Sequence, residues 1–366
     1  MNLGRCLLVS SLSLVLPLAG CTGFHSLPPP DYADLPDDGV LRLVFDERGD
    51  PWPLAHDAAA AAEAVIPGDL DKSRSFRLAR RLEASGAPYD RAAILDAAAA
   101  RLGKGGGRVV VLINGFNNSY GSFRSKYAGV RQWLAAQGAP ADTRYVEVYW
   151  DALHRAGGKV AYPVALFPRA RGNAERAGAC GLRDLLVRLP AGTEVTLVAH
   201  SLGSQVALST VADPPPGRDS IVCDGRPVPA TPASQLGDLR LTAFAPALGA
   251  GQLEDSTGEF PATLLARVSR FVIAWDPNDP VITKRRYGVN LPDTLGGDTR
   301  LGGNEAFVRA VEDKAGAAGA ERFQPLRFEQ KSHELTRYLA DIPRAACVLW
   351  AGKVLPERPA GCTLMR

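Results

Sequence analysis

The residues best placed to do chemistry gather around Ser201. The stretch Glu194–Thr210 reads EVTLVAHSLGSQVALST: an apolar run, an abrupt stop at His200-Ser201-Leu202-Gly203, then a helix-forming run. That is a strand, a sharp turn and a helix, with a serine at the apex. On such a turn the hydroxyl projects above the sheet edge, and the positions two before and two after it must be small, because a larger side chain would strike the neighbouring strand or helix. Here they are Ala199 and Gly203. The plainer reading is a helix N-cap serine after a buried strand. What separates the two is whether the chain also carries a base, an acid and oxyanion donors.

A serine hydroxyl is a poor nucleophile until a base takes its proton, and that base needs a carboxylate to orient it. The chain has five histidines. His25 lies in a Pro- and Asp-rich stretch that reads as a flexible tether, and His56 precedes the parallel core. His154 sits in an irregular connection and stays open on position alone. His200 adjoins the serine, and its side chain is expected to point away from that of Ser201. His333, in KSHELTRYL, follows both the serine and the later strands and is expected to begin a helix; it is the candidate base. The candidate acid belongs in the loop after a late strand, FVIAW-DPNDPV. Asp276 touches the strand end, where an Asp-Pro pair commonly caps a turn. Asp279 lies further along, where the loop can reach over the strand ends, and is the favoured acid. Two N–H donors would face the oxyanion. One is the backbone N–H of Leu202. The other comes from the loop Asn114-Gly115-Phe116, with Phe116 first and Asn117 second; such a stretch also reads as an ordinary turn.

These residues need a scaffold. VLRLVF (Val40 to Phe45) reads as a first strand, and AHDAAAAAEAVI and Tyr89 to Leu102 as helices rich in alanine. Arg108 to Ile113 is a continuous apolar run of the kind buried on both sheet faces. After it, Phe123, Tyr127, Val130 and Leu134 recur at helical spacing. Thr143 to Trp150 is the next strand, and an irregular connection leads to a helix expected over Asn173 to Leu189. Beyond the Ser201 helix, a Pro-rich excursion precedes strands at Leu239 to Ala245 and Phe271 to Trp275. A Gly-rich stretch then leads to candidates at Ala306 to Glu312 and Phe323 to Glu329. Strands alternating with helices from Arg108 onward imply an α/β architecture: a mostly parallel central sheet with helices on both faces. With 366 residues and 46% apolar composition, one large domain has enough core material.

The segments INGF, AHSLG, DPNDPV and SHELTRYL resemble the loops of α/β-hydrolase fold lipases and esterases, from Arg108 to about Leu339. The resemblance implies a triad of Ser201, Asp279 and His333 in that chain order, an oxyanion hole from Leu202 and Phe116, and an acyl-enzyme route with no cofactor and no metal. Two positions depart from it: Asn114 stands where histidine is common, and Ala199 where glycine is usual. The activity implied is a carboxylic-ester hydrolase acting on a small-molecule or lipid ester. The alternatives are an amidase, peptidase or thioesterase of the same fold, or a non-catalytic envelope lipoprotein.

The N-terminus reads as an export signal. Arg5 precedes the apolar run CLLVSSLSLVLPLAG, which Pro17 interrupts and which is too short to span a bilayer. Leu18-Ala19-Gly20-Cys21 resembles the bacterial lipobox, which implies cleavage before Cys21 and its lipidation. Thr22 follows in place of aspartate, and in a two-membrane bacterium this favours the outer membrane, facing the periplasm or the surface. The expected organisation is a signal peptide over 1–20, a flexible tether over 21–38 and one domain over 39–366, held to the membrane by acyl chains. Cys180, Cys223, Cys347 and Cys362 then remain, an even number for an oxidising compartment. Cys180 and Cys223 flank the two elements around Ser201, and Cys347 and Cys362 are neighbours; these are the favoured pairs among three possible connectivities. The net charge of +3 is spread without a basic block, so no nucleic-acid partner is expected.

Overall fold

The apolar runs pair edge to edge as a seven-stranded sheet in the order β1-β3-β2-β4-β5-β6-β7, and every pairing is parallel. The strands are β1 (Val40–Phe45), β2 (Arg108–Ile113), β3 (Arg144–Trp150), β4 (Glu194–His200), β5 (Asp238–Phe244), β6 (Arg270–Trp275) and β7 (Phe323–Arg327). The helices are α1 (Arg91–Gly103), α2 (Tyr120–Ala136), α3 (Tyr162–Arg176), α4 (Arg183–Leu186), α5 (Gly203–Val211), α6 (Leu335–Ala340) and α7 (Ile342–Ala351). A π-helical segment, Ala177–Leu182, joins α3 to α4. This computed structural model describes residues 40–54, 82–84, 86, 88–103, 107–153, 162–213, 223–232, 235–248, 267–282, 322–360 and 362, with side chains in α3 from 167 onward. The parallel sheet, its flanking helices and the strand–turn–helix at Ser201 make an α/β-hydrolase fold.

Parallel strands covered on both faces need no polar alternation, which is why β2 and β4 are apolar along almost their whole length. Val109 to Ile113 and Val195 to His200 are all buried. β4 lies at the centre, with Leu197 opposite Val111 on one side and Leu241 on the other. α2 packs through Phe123, Tyr127, Val130 and Leu134, the four positions expected from their spacing. Its start is capped by Ser119, whose side chain accepts from the Ser122 N–H. β7 carries Pro325 and is the last strand on its side among the described residues, the position where a strand tolerates proline.

The order of the strands matters more than their number. From β2 the chain moves outward to β3 on one side, then returns to β4 on the other. Loops leaving the carboxyl ends of β2 and β4 therefore part in opposite directions. In open parallel sheets, the crevice at such a reversal is where ligands bind. The Asn114–Phe116 loop and Ser201 stand on its two sides.

Two expectations about elements are corrected. The helix expected to begin at Asn173 is already helical from Tyr162 and ends at Leu186, not Leu189. Pro168 and Gly172 made this stretch read as irregular, but Pro168 is accommodated inside α3. His333 does not begin a helix: it lies in the loop before α6, whose N-cap is Glu334. The helix expected over 55–66, the strand or strand-plus-helix candidate over 306–312 and most of the Pro-rich and Gly-rich excursions fall outside the described residues.

Cys180 is joined to Cys223 and Cys347 to Cys362, the favoured pairs. The first ties the π-helical segment to the stretch after α5. In the same region the buried Arg183 donates to the carbonyls of Thr210, Val211 and Ala212, so a cation satisfies the C-terminal end of the Ser201 helix.

Candidate functional site

Ser201 sits at the apex between β4 and α5 with φ of 55°. This left-handed conformation is costly for a residue with a side chain, and a non-glycine residue stays there only when its surroundings enforce it. They do so by hydrogen bonds. The Ser201 N–H donates to the Phe244 carbonyl at 2.9 Å, and the Ser201 carbonyl accepts from Ser204 and Ala247 at 3.0 and 3.1 Å. The tight turn also explains the small neighbours. A Cβ at Gly203 would lie 2.6 Å from the carbonyl oxygens of Ile113 and Asn114. A Cβ at Gly115 would lie 2.6 Å from the Ser201 Cβ and 3.1 Å from its Oγ. The loop after β2 can pass this close to the serine only because it has a glycine there.

Three of the residues singled out in the sequence meet in one line. Ser201 Oγ is 2.7 Å from His333 Nε2, and His333 Nδ1 is 2.7 Å from Asp279 Oδ2. With the ring neutral, Nδ1–H donates to the carboxylate and Nε2 accepts the serine O–H. Asp279 is fully buried, Ser201 is 7% exposed and the His333 side chain 14%. The other Asp279 oxygen accepts the N–H groups of Val281 and Ile282 at 2.8 and 3.1 Å, so backbone dipoles support the buried charge and fix its direction.

Asp276 has a different neighbourhood. Its two oxygens accept the N–H groups of Asn278 at 2.7 Å and Lys331 at 2.6 Å. It therefore ties the end of β6 to the loop that carries His333, and Asp279 alone of the two contacts the imidazole. His154 lies outside the described residues.

The loop after β2 is held at both polar groups of Asn114. Its N–H donates to the Tyr127 hydroxyl at 2.9 Å, and its carbonyl accepts from Trp150 Nε1 at 2.8 Å. Tyr127 O–H in turn donates to the Val148 carbonyl. Asn118 Nδ2 donates to the carbonyls of Gly115 and Phe116 at 3.0 and 2.9 Å, and Lys126 Nζ donates to Asn118 Oδ1 at 2.6 Å. The carbonyls of Gly115 and Phe116 are thus drawn toward Asn118. The Phe116 and Leu202 N–H groups have no hydrogen-bond partner among the described residues, whereas Asn117 N–H is taken by the Ala152 carbonyl at 3.3 Å. Burial pushes the Lys126 ammonium below its ordinary pKa.

Lys126 and Glu334 border a cavity of about 370 Å³ between α2 and α6, with Val130, Trp133 and Leu339 in its lining. The sequence did not single out Asn118, Tyr127 or Trp150. Asn118 falls within the turn-like NGFNNS, and the two aromatics read as core residues. Their polar tips meet backbone groups distant in the chain, which no local pattern encodes.

No protein-family model matches the chain, and no curated protein matches it. Among solved structures it is similar to the apo form of esterase 2 of Thermogutta terrifontis, at 18% identity over 68% of this chain and 84% of that one, with a TM-score of 0.31. The cyclosarin-phosphonylated form gives the same values. The propionate-bound form aligns at 18% identity over 64% and 81% of the two chains, with a TM-score of 0.29. Likeness at these scores adds nothing to the reading of the site, which rests on its own geometry.

Proposed function

We propose that this chain is a serine hydrolase of carboxylic esters working through an acyl-enzyme. The observation that carries the reading is the continuous line from Ser201 Oγ through His333 to the buried Asp279 carboxylate, with both contacts at 2.7 Å. Ser201 Oγ attacks the ester carbonyl carbon as His333 Nε2 takes its proton. Asp279 holds the ring with Nδ1 protonated and stabilises the imidazolium that forms. The oxyanion is received by the free N–H groups of Leu202 and Phe116. His333 returns the proton to the departing alkoxide, leaving the acyl group on Ser201. Water, deprotonated by His333, then releases the acid and restores the serine.

The test is hydrolysis of p-nitrophenyl esters of increasing chain length beside the matching anilides, by wild type and Ser201→Ala. Ester turnover that vanishes in the variant supports the reading. Anilides cleaved faster than esters would move it to an amidase.

The location belongs to the same proposal: export, cleavage before Cys21, and acyl chains on that cysteine that hold the domain at an envelope membrane. It rests on the Leu18–Cys21 segment. Metabolic labelling with an alkyne fatty acid should mark the wild type and not Cys21→Ser. Equal labelling of the two would remove Cys21 as the anchor.

A further inference from the structure

His200 precedes Ser201 in the chain and takes no part in the proton relay above, yet it is among the best-connected groups near it. The residue is 5% exposed. Nε2 lies 2.8 Å from the backbone carbonyl oxygen of His333, and Nδ1 lies 3.2 Å from Asn114 Oδ1. The His200 and His333 rings are 5.1 Å apart, centroid to centroid. One imidazole thus bridges the loop that carries the base and the loop that carries Gly115 and Phe116. We propose that His200 is a positioning residue that clamps these two loops together, so that His333 Nε2 and the Phe116 N–H are set against Ser201 by one side chain.

The protons narrow how it does so. Both partners are oxygens, and a neutral imidazole has one N–H to give. An imidazolium could serve both, but burial, with the nearby His333 and Lys126, drives the His200 pKa well below that of a free histidine. The shorter contact takes the proton, so Nε2–H donates to the His333 carbonyl and Nδ1 is left as an acceptor. The donor for Nδ1 is close at hand. Asn114 Nδ2 is buried and has no partner among the described residues, and rotating that amide exchanges its oxygen for its nitrogen. The exchange draws Oδ1 off the Gly115 N–H, which it holds at 2.8 Å. The Asn114 amide is therefore shared between His200 and the backbone of Gly115, which abuts Ser201. Through it the position of the base's loop is linked to the approach of the oxyanion loop.

This inference rests on the esterase reading, and the experiment separates the two. Purified His200→Ala, His200→Gln, Asn114→Ala and the double variant His200→Ala/Asn114→Ala are compared with wild type on p-nitrophenyl butyrate and for their rate of fluorophosphonate labelling, at a temperature where circular dichroism shows each folded. His200→Leu, which fills the ring's space without a donor, replaces His200→Ala should that variant be unstable. Loss of a buried positioning hydrogen bond should lower kcat by about 10- to 100-fold in His200→Ala with KM within about 2-fold. Glutamine retains an N–H for the His333 carbonyl and should restore kcat to within about 5-fold of wild type. The double variant should lose less than the product of the single losses, because both remove one linkage. Wild-type kcat in His200→Ala, a glutamine no better than alanine, or multiplicative losses would each overturn the clamp. Failure of the wild type itself to label would instead overturn the esterase reading.

Discussion

Asp276 and Asp279 both end in the loop after β6, both are buried, and their different partners predict opposite phenotypes. In Asp279→Asn, the amide oxygen can still accept the Val281 and Ile282 N–H groups. The amide nitrogen then faces His333 Nδ1, where a donor stood opposite a carboxylate at 2.7 Å. His333 must move its proton to Nε2, which then points at Ser201 Oγ and can no longer accept from it. A tautomer locked the wrong way costs roughly 10³- to 10⁴-fold in kcat, or about 4–5.5 kcal/mol of barrier. Fold stability should change little, since the backbone bonds survive. Asp276→Asn keeps the geometry of the relay but puts an amide N–H2 where one accepting oxygen stood, so the bond from Asn278 or from Lys331 is lost. That should cost on the order of 2 kcal/mol in stability. The melting point should fall by roughly 3–6 °C, and kcat by only about 10-fold as the His333 loop loosens. Steady-state kinetics and thermal melts of the two variants check the crossed pattern. An Asp279→Asn enzyme retaining a tenth of wild-type kcat would show that Asp279 does not set the tautomer of His333, and an Asp276→Asn enzyme equally dead at an unchanged melting point would show that the two carboxylates do not divide these roles.

The close approach at Gly203 predicts that Gly203→Ala, whose new methyl would lie 2.6 Å from two β2-end carbonyls, loses about 1–3 kcal/mol and most of its activity together; an unchanged melting curve would contradict that contact. Removing the Cys180–Cys223 bridge, which spans 43 residues, by a double alanine substitution should cost about 3–4 kcal/mol in chemical denaturation. The depressed His200 pKa makes the unfolded chain bind a proton that the folded one does not as pH falls below about 6.5. Wild-type stability should therefore drop with falling pH in that window, by at most about 1.4 kcal/mol per pH unit from this residue, and His200→Gln should flatten the slope. Parallel urea-melt profiles against pH for the two proteins would remove His200 as the cause.

The core of the fold was legible because parallel strands advertise themselves. β1 and β2 match their sequence-derived bounds, and β3 to β6 differ from theirs by a residue, since runs such as VVVLI and FVIAW leave little room for another assignment. The Ser201 turn was legible for a local reason, the need for small residues at 199 and 203. The α3 start was not, because Pro168 and Gly172 oppose helix locally and packing prevails over them. Nor could local reasoning separate Asp276 from Asp279 beyond the reach of the loop. That depends on Lys331 and His333, more than fifty positions away in the chain, arriving at the right carboxylates. His200 was passed over for the same reason: its partners, Asn114 and the His333 carbonyl, are neighbours only in the folded sheet.

Ser201 is proposed as a nucleophile activated by His333. Intact-protein and peptide mass spectrometry after reaction with a fluorophosphonate tests it most directly. A single phosphonyl adduct is expected on the peptide containing Ser201, absent from Ser201→Ala and formed far more slowly in His333→Ala. An unlabelled wild type, or an adduct on another residue that persists in Ser201→Ala, would contradict it.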